Sequence, residues 1–176
     1  MQPNKHTRSD PPLSSTVLRD IGLFGALSDE VLDHLAGQLR TMRVEPGSYV
    51  FKEGDPAREF YVVLDGEMEV LKRSRSGRET RVAILGPSDL FGEMSIIDMQ
   101  PRSATVRALG PARLIRMSTE DMDNLYRHDL KSYTLIVLNI ARDLSRRLRV
   151  TDGLLADFTA TVLDEYVTGS RKKQDA

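Results

Sequence analysis

A chain of 176 residues, 40% hydrophobic and 29% charged, has room for one well-cored domain plus an accessory helix, and 25 basic against 26 acidic side chains leave no nucleic-acid footprint in the overall charge. The absence of cysteine excludes disulfides, thiolate metal centres, iron–sulfur clusters and cysteine nucleophiles together, and His6, His34 and His128 are too scattered to suggest a metal site. No apolar run nears the ~18 residues of a bilayer span, and the polar start Met1 to Pro12 lacks the apolar core of a signal peptide, which points to the cytoplasm and to no membrane partner.

Residues 1–14, rich in proline, serine and charge, read as a flexible arm. From Val17 the pattern turns helical, and Val31, Leu32, Leu35 and Leu39 recur at helical spacing behind the N-cap candidate Ser28. Between Val44 and Met117 the period changes to two, in short segments at 48–51, 60–64, 68–71, 81–85, 104–108 and 112–117. Turn signals separate them: Pro46-Gly47, Gly54-Asp55-Pro56, Asp65-Gly66, Ser76-Gly77, Gly86-Pro87 and Gly110-Pro111. This predicts one antiparallel β unit with flanking helices over 15–131, mainly β within an α+β class. Ser118 or Thr119 can cap the helix that follows. A long helix is predicted over 132–168, weakened at Gly153, and a flexible polar tail over 169–176.

The segment that carries chemistry is Phe91-Gly92-Glu93-Met94-Ser95-Ile96-Ile97-Asp98-Met99-Gln100-Pro101-Arg102-Ser103-Ala104-Thr105. Gly92 lets backbone approach a ligand, and a short helical turn over 93–96 would aim amide donors at an anion. Arg102 offers a forked countercharge for phosphate, Ser103 a hydroxyl beside it, and Glu93 an acceptor for a sugar hydroxyl. These parts suit a sugar phosphate. No nucleophile–base pair or metal cluster stands out, so the residues do not read as an enzyme's, and no cofactor is expected.

The order Phe-Gly-Glu, a small apolar turn, a variable loop and Pro-Arg with two small residues and Thr resembles the phosphate-binding cassette of the cyclic-nucleotide-binding domains, the type shared by catabolite activators and cyclic-nucleotide-dependent kinase regulatory subunits. Glu53-Gly54-Asp55 and the stretch 61–66 resemble that family's glycine turns, extending the likeness over roughly 18–166. The resemblance implies an antiparallel β-roll, or jelly roll, with N-terminal helices and a long C-terminal helix. It implies that Arg102 meets a cyclic phosphate, Glu93 a ribose 2′-hydroxyl and Ser103 the phosphate again, with Gly92 and backbone donors at Met94, Ser95 and Ala104 completing the cradle. Val70, Val82 and Leu85 match positions that line the base pocket. Thr151 and Asp152 match two helix positions that read the adenine edge in the catabolite activator branch, although that branch has serine where Asp152 stands. The expected ligand is cAMP, with cGMP left open because a carboxylate suits a guanine edge and Ser103 decides nothing. A degenerate cassette serving as a scaffold is the remaining alternative.

Along the last helix Val137, Ala141, Leu144, Leu148, Thr151, Leu155, Phe158 and Val162 alternate in steps of four and three. This seam predicts a homodimer, the alternative being packing on the chain's own β unit. Arg142, Arg146, Arg147 and Arg149 form either a solvated face or a guide for an anion. After Tyr166 ten residues follow, too few for a winged helix-turn-helix, so the expected output is through an unidentified protein effector and not through DNA.

Overall fold

The computed structural model describes the backbone of residues 13–174 and the side chains of residues 13–163, so the expected arm, apart from 13 and 14, and the last two residues of the expected tail lie outside the described residues. Two compact units divide the chain, one reaching Asn139 and the other beginning at Ile140.

The first unit opens with helix α1 (Ser15–Arg19), a 3-10 turn (Gly22–Phe24) and helix α2 (Asp29–Gln38). Both helices start on a serine whose side chain accepts a backbone bond, Val17 N–H to Ser14 and Val31 N–H to Ser28, each at 3.4 Å. Strand β1 (Arg40–Val44) follows, then β2 (Tyr49–Phe51), β3 (Glu59–Asp65), β4 (Met68–Arg73), β5 (Glu79–Leu85) and β6 (Leu90–Phe91). Helix α3 (Met94–Ile97) interrupts the strands before β7 (Thr105–Ala108) and β8 (Ala112–Ser118). The strands form two four-stranded antiparallel sheets, ordered β1-β8-β3-β6 and β2-β7-β4-β5, which is the expected β-roll. Its core draws from both sheets: Val44, Tyr61, Val63 and Leu114 from one, Met68, Leu85, Val106 and Ala108 from the other.

Two strands escape the periodicity reading. β1 is an edge strand paired with β8 alone, and its Arg-Thr-Met-Arg-Val text buries only Val44 fully, so no apolar alternation marks it. β6 is two residues long, too short to show a period.

Helix α4 (Thr119–His128) begins on a reciprocal cap in which Asp121 N–H donates to Ser118 Oγ at 3.1 Å and Ser118 N–H to Asp121 Oδ2 at 2.7 Å. Asp129 then starts helix α5 (Leu130–Gln174) by accepting from the Ser132 hydroxyl at 2.6 Å; this bond holds its carboxyl below the usual range. The α5 part of this unit seals the helical layer. Ile136 is fully buried, and Asn139 donates to the carbonyls of Leu23 and Gly25 at 3.0 and 3.1 Å.

The second unit is the remainder of α5. The helix runs unbroken through Gly153 and past 168 to Gln174, so residues 169–174 are helical where a loose tail is expected. One interior glycine costs only ~1 kcal/mol relative to alanine, and no proline follows Pro111, so nothing in the chain stops the helix. Among the described residues no helix is long and apolar enough to cross a membrane.

The β3–β4 turn shows how tightly the roll closes. Gly66 has φ +84°, and a Cβ there would collide with the carbonyl of Pro111 and sit 2.8 Å from Ala112 Cα. Gly66→Ala should lower unfolding free energy by more than about 2 kcal/mol, since the left-handed backbone alone costs ~1–2 and the backbone collision adds to it. Urea denaturation measures this; a midpoint equal to wild type would refute the packing described.

Candidate functional site

The segment 91–105 leaves one sheet at the end of β6 and enters the other at Thr105, the first residue of β7. Between these strands the chain makes the α3 turn, in which the amides of Ile96 and Ile97 donate to Glu93 O at 3.0 Å. The amides that open such a turn precede its ladder and point outward. Met94 is exposed and Ser95 buried, its hydroxyl reaching Pro101 O at 3.4 Å.

Arg102 is the centre of this loop. It is only 4% exposed, its Nη1 donates to Gly92 O at 2.9 Å, and its Cζ lies 4.0 Å from the Phe51 ring centroid. A guanidinium over an aromatic face is attracted by the ring quadrupole. Phe51 belongs to a ring cluster with Tyr61 and Phe91, the latter two stacked at 5.3 Å. Burial pushes the guanidinium down from its usual pKa, and electrostatic interaction with Tyr61 and with the carboxyl groups of Glu59, Asp55 and Glu93 opposes that shift. Among the described residues, the buried Nε of Arg102 has no hydrogen-bond partner. A buried charged donor that no protein group pairs is costly, and such an atom is a position for an outside acceptor.

Gly92 makes this arrangement possible. Its φ is +82°, and a Cβ would lie 2.6 Å from Arg102 Nη1 and 3.3 Å from the Phe51 ring. Glu93 is 2% exposed and acts electrostatically on Arg102, so the structure brings the carboxylate and guanidinium into one neighbourhood. Ser103 is exposed beside them, with its hydroxyl 3.9 Å from Met94 Sδ, and Ala104 is half-buried.

The cyclic nucleotide-binding domain family matches residues 41–129, which hold this whole cassette and the roll around it. The chain belongs to that family. The CRP-like cAMP-activated global transcriptional regulator of Mycobacterium tuberculosis is 34% identical over 145 residues, covering 82% of this chain; the chain spans 63% of that relative's length. The N-terminal domain of a transcriptional regulator from Streptomyces coelicolor, 34% identical, covers 74% of this chain and 94% of its own with a TM-score of 0.65. A cyclic nucleotide-binding domain from Methylobacillus flagellatus, 26% identical, covers 77% and 76% of the two chains with a TM-score of 0.70. The cyclic nucleotide-binding family is regulatory and not an enzyme family.

The other expected residues are dispersed. Leu85 is buried in the roll core and Val70 packs against it. Val82 does not join them: the register passes from Val70↔Ala83 to Leu71↔Arg81, so Val82 is the bulged residue and is 60% exposed. Thr151 and Asp152 lie in the second unit, exposed, with the Thr151 hydroxyl donating to Arg147 O at 2.9 Å. In that unit Arg146 and Arg147 both pair with Asp143 along the helix. A pocket of about 440 Å³ opens beside the cassette, walled by Ser95, Ile96, Met99 and Pro101 with Pro56 and Ala57; neither Arg102 nor Glu93 lines it, and its walls carry no countercharge for a phosphate.

Beneath the cassette lies a group that sequence reasoning does not find. Glu59 accepts from Tyr61 Oη and from Arg116 Nε, each at 2.7 Å. Burial raises the Glu59 carboxyl pKa, but the two hydrogen bonds and the charges of Arg116 and Arg102 together outweigh it and hold the group below its usual range; the Tyr61 phenol is raised, by burial first and by Glu59 second. Arg116 is 57 positions from Glu59, and only the β3–β8 register brings them together.

Gly92→Ala should cost about 1–3 kcal/mol and displace the Arg102 side chain, because it adds left-handed strain and a clash with a buried charge. A denaturation midpoint within error of wild type would overturn this placement. The Glu59 contribution to stability should be complete above the ordinary carboxylate value of ~4.3 and vanish as pH falls through the lower folded value. Unfolding free energy measured from pH 7 to pH 3 should therefore show the gap between Glu59→Gln and wild type narrowing towards the acid end; parallel curves would refute it.

Proposed function

We propose that this chain is a sensor for a cyclic mononucleotide, with cAMP as its ligand. The observation that carries the reading is the buried Arg102 guanidinium with a donor unsatisfied beside a buried Glu93. An anion on Arg102 pairs a desolvated charge, and the Glu93 carboxylate has the chemistry to accept from a ribose hydroxyl. Ser103 is assigned a second contact to the phosphate, and the backbone of Gly92, Met94, Ser95 and Ala104 the rest of the cradle. Base recognition is assigned to Val70 and Leu85, without the outward-turned Val82, and, from the long helix, to Thr151 and Asp152. The cAMP activation named for the 34% identical relative supports the choice of adenine. Asp152 carries a second reading, cGMP, since its carboxylate accepts from both donors of a guanine edge.

The output is assigned to the long helix, which forms a homodimer along the seam from Val137 to Val162 and passes the signal to a protein effector. Nucleotide shifts the helix between packings in proportion to its differential affinity for them. Leu148, Leu155 and Phe158 are exposed on this seam, as a partner-seeking face requires.

Isothermal titration with cAMP and cGMP tests the ligand, and light scattering on the same samples should read twice the chain mass. Arg102→Ala should abolish binding while circular dichroism stays native, and Arg102→Lys should bind at least about tenfold more weakly because an ammonium cannot reproduce the bidentate fork. Unchanged affinity in Arg102→Ala would remove the guanidinium from the site.

A further inference from the structure

Residues 101–104 belong to no helix or strand, yet Arg102 and Ser103 hang from them. Four hydrogen bonds join this stretch and the residue that follows it to the loop 53–55 and to the Lys72 side chain. Arg102 N–H donates to Asp55 O and Gly54 N–H donates to Arg102 O, both at 2.9 Å. Glu53 N–H donates to Thr105 Oγ1 at 2.9 Å, and Lys72 Nζ donates to Ser103 O. Three of the four therefore involve the loop 53–55, and the fourth involves a lysine on β4.

That lysine and that loop are joined. Lys72 Nζ also donates to Glu53 Oε1 at 2.8 Å, and the Arg73 amide donates to Glu53 Oε2 at 3.0 Å. Both oxygens of one carboxylate are thus spent tying the loop to the end of β4. The ladder between β4 and β7 ends at Leu71↔Thr105, so Lys72 stands one step past the last pair, where the cassette leaves the sheet. Its ammonium takes the Ser103 carbonyl that a continuing strand would have served.

We infer that the Lys72–Glu53 ion pair is a positioning device for the ligand cassette. Lys72 sets the backbone of Ser103 and, through Glu53 and the loop, the backbone of Arg102, so the pair fixes where the guanidinium and the serine hydroxyl meet an anion. Lys72 is half exposed, and an exposed ion pair adds little to global stability, so its contribution appears in local geometry. It also couples the β4–β5 hairpin to the cassette, because the Arg73 amide on that hairpin holds the same carboxylate. The ligand part of this inference rests on the function proposed above; the backbone part does not.

Amide hydrogen exchange without nucleotide tests the backbone part. In Lys72→Met the amides of Gly54 and Arg102 should exchange about tenfold faster while the global denaturation midpoint holds, as expected for a local opening. Unchanged protection at those two amides overturns the inference. Titration of cAMP tests the rest: Lys72→Met should weaken binding about tenfold, Lys72→Arg should recover most of it, and Glu53→Gln combined with Lys72→Met should be no worse than either alone, since the two act as one unit. Additive losses would mean that Lys72 touches the anion directly, and would overturn the positioning role. A wild-type protein that binds neither cAMP nor cGMP would refute the proposed ligand, and the exchange result would still decide whether the clamp exists.

Discussion

Everything at the cassette depends on keeping a guanidinium out of water. Removing such a charge from solvent costs several kcal/mol even after relaxation, and the fold returns part of this with one carbonyl, one aromatic face and several nearby carboxylates. The provision is incomplete, since among the described residues no group accepts from Nε. A protein that needed Arg102 for stability alone would do better with an apolar side chain there. The cost is intelligible when an anion completes the shell, and the proposed phosphodiester is such an anion.

The scaffold around this charge is built to hold an irregular loop still. Gly92 admits the guanidinium by lacking a Cβ, the Phe51–Tyr61–Phe91 rings fill the space under it, and the 53–55 loop braces its backbone. Irregular backbone at a site is tolerated when its polar groups are paired, and here the pairing comes from side chains and a neighbouring loop, not from a ladder. Rigidity of this kind matters for binding because ordering a loose loop would consume affinity.

The long helix poses a different problem. Its described part exposes Leu148, Leu155 and Phe158, the last at 67%, along one heptad seam, with Arg146 and Arg147 pairing to Asp143. Helices in proteins draw most of their stability from packing an apolar face against a neighbour. The homodimer proposed above gives that face a cover and gives a bound nucleotide something to rearrange.

Much of this protein was legible as text. Gly92-Glu93 and Pro101-Arg102-Ser103 announce an anion and a sugar, the change of period from helix to strand marks the roll, and Ser28 and Ser118 mark helix starts, because turn chemistry, capping and periodicity belong to contiguous residues. The folded chain alone decided that Phe51 would face Arg102, that Lys72 would reach Glu53 and Ser103, that Glu59 would meet Arg116, and that a bulge would turn Val82 outward. Those pairings join residues far apart in sequence through strand register. A one-residue slip in register turns every side chain to the opposite face, and no local pattern in the chain records which register wins.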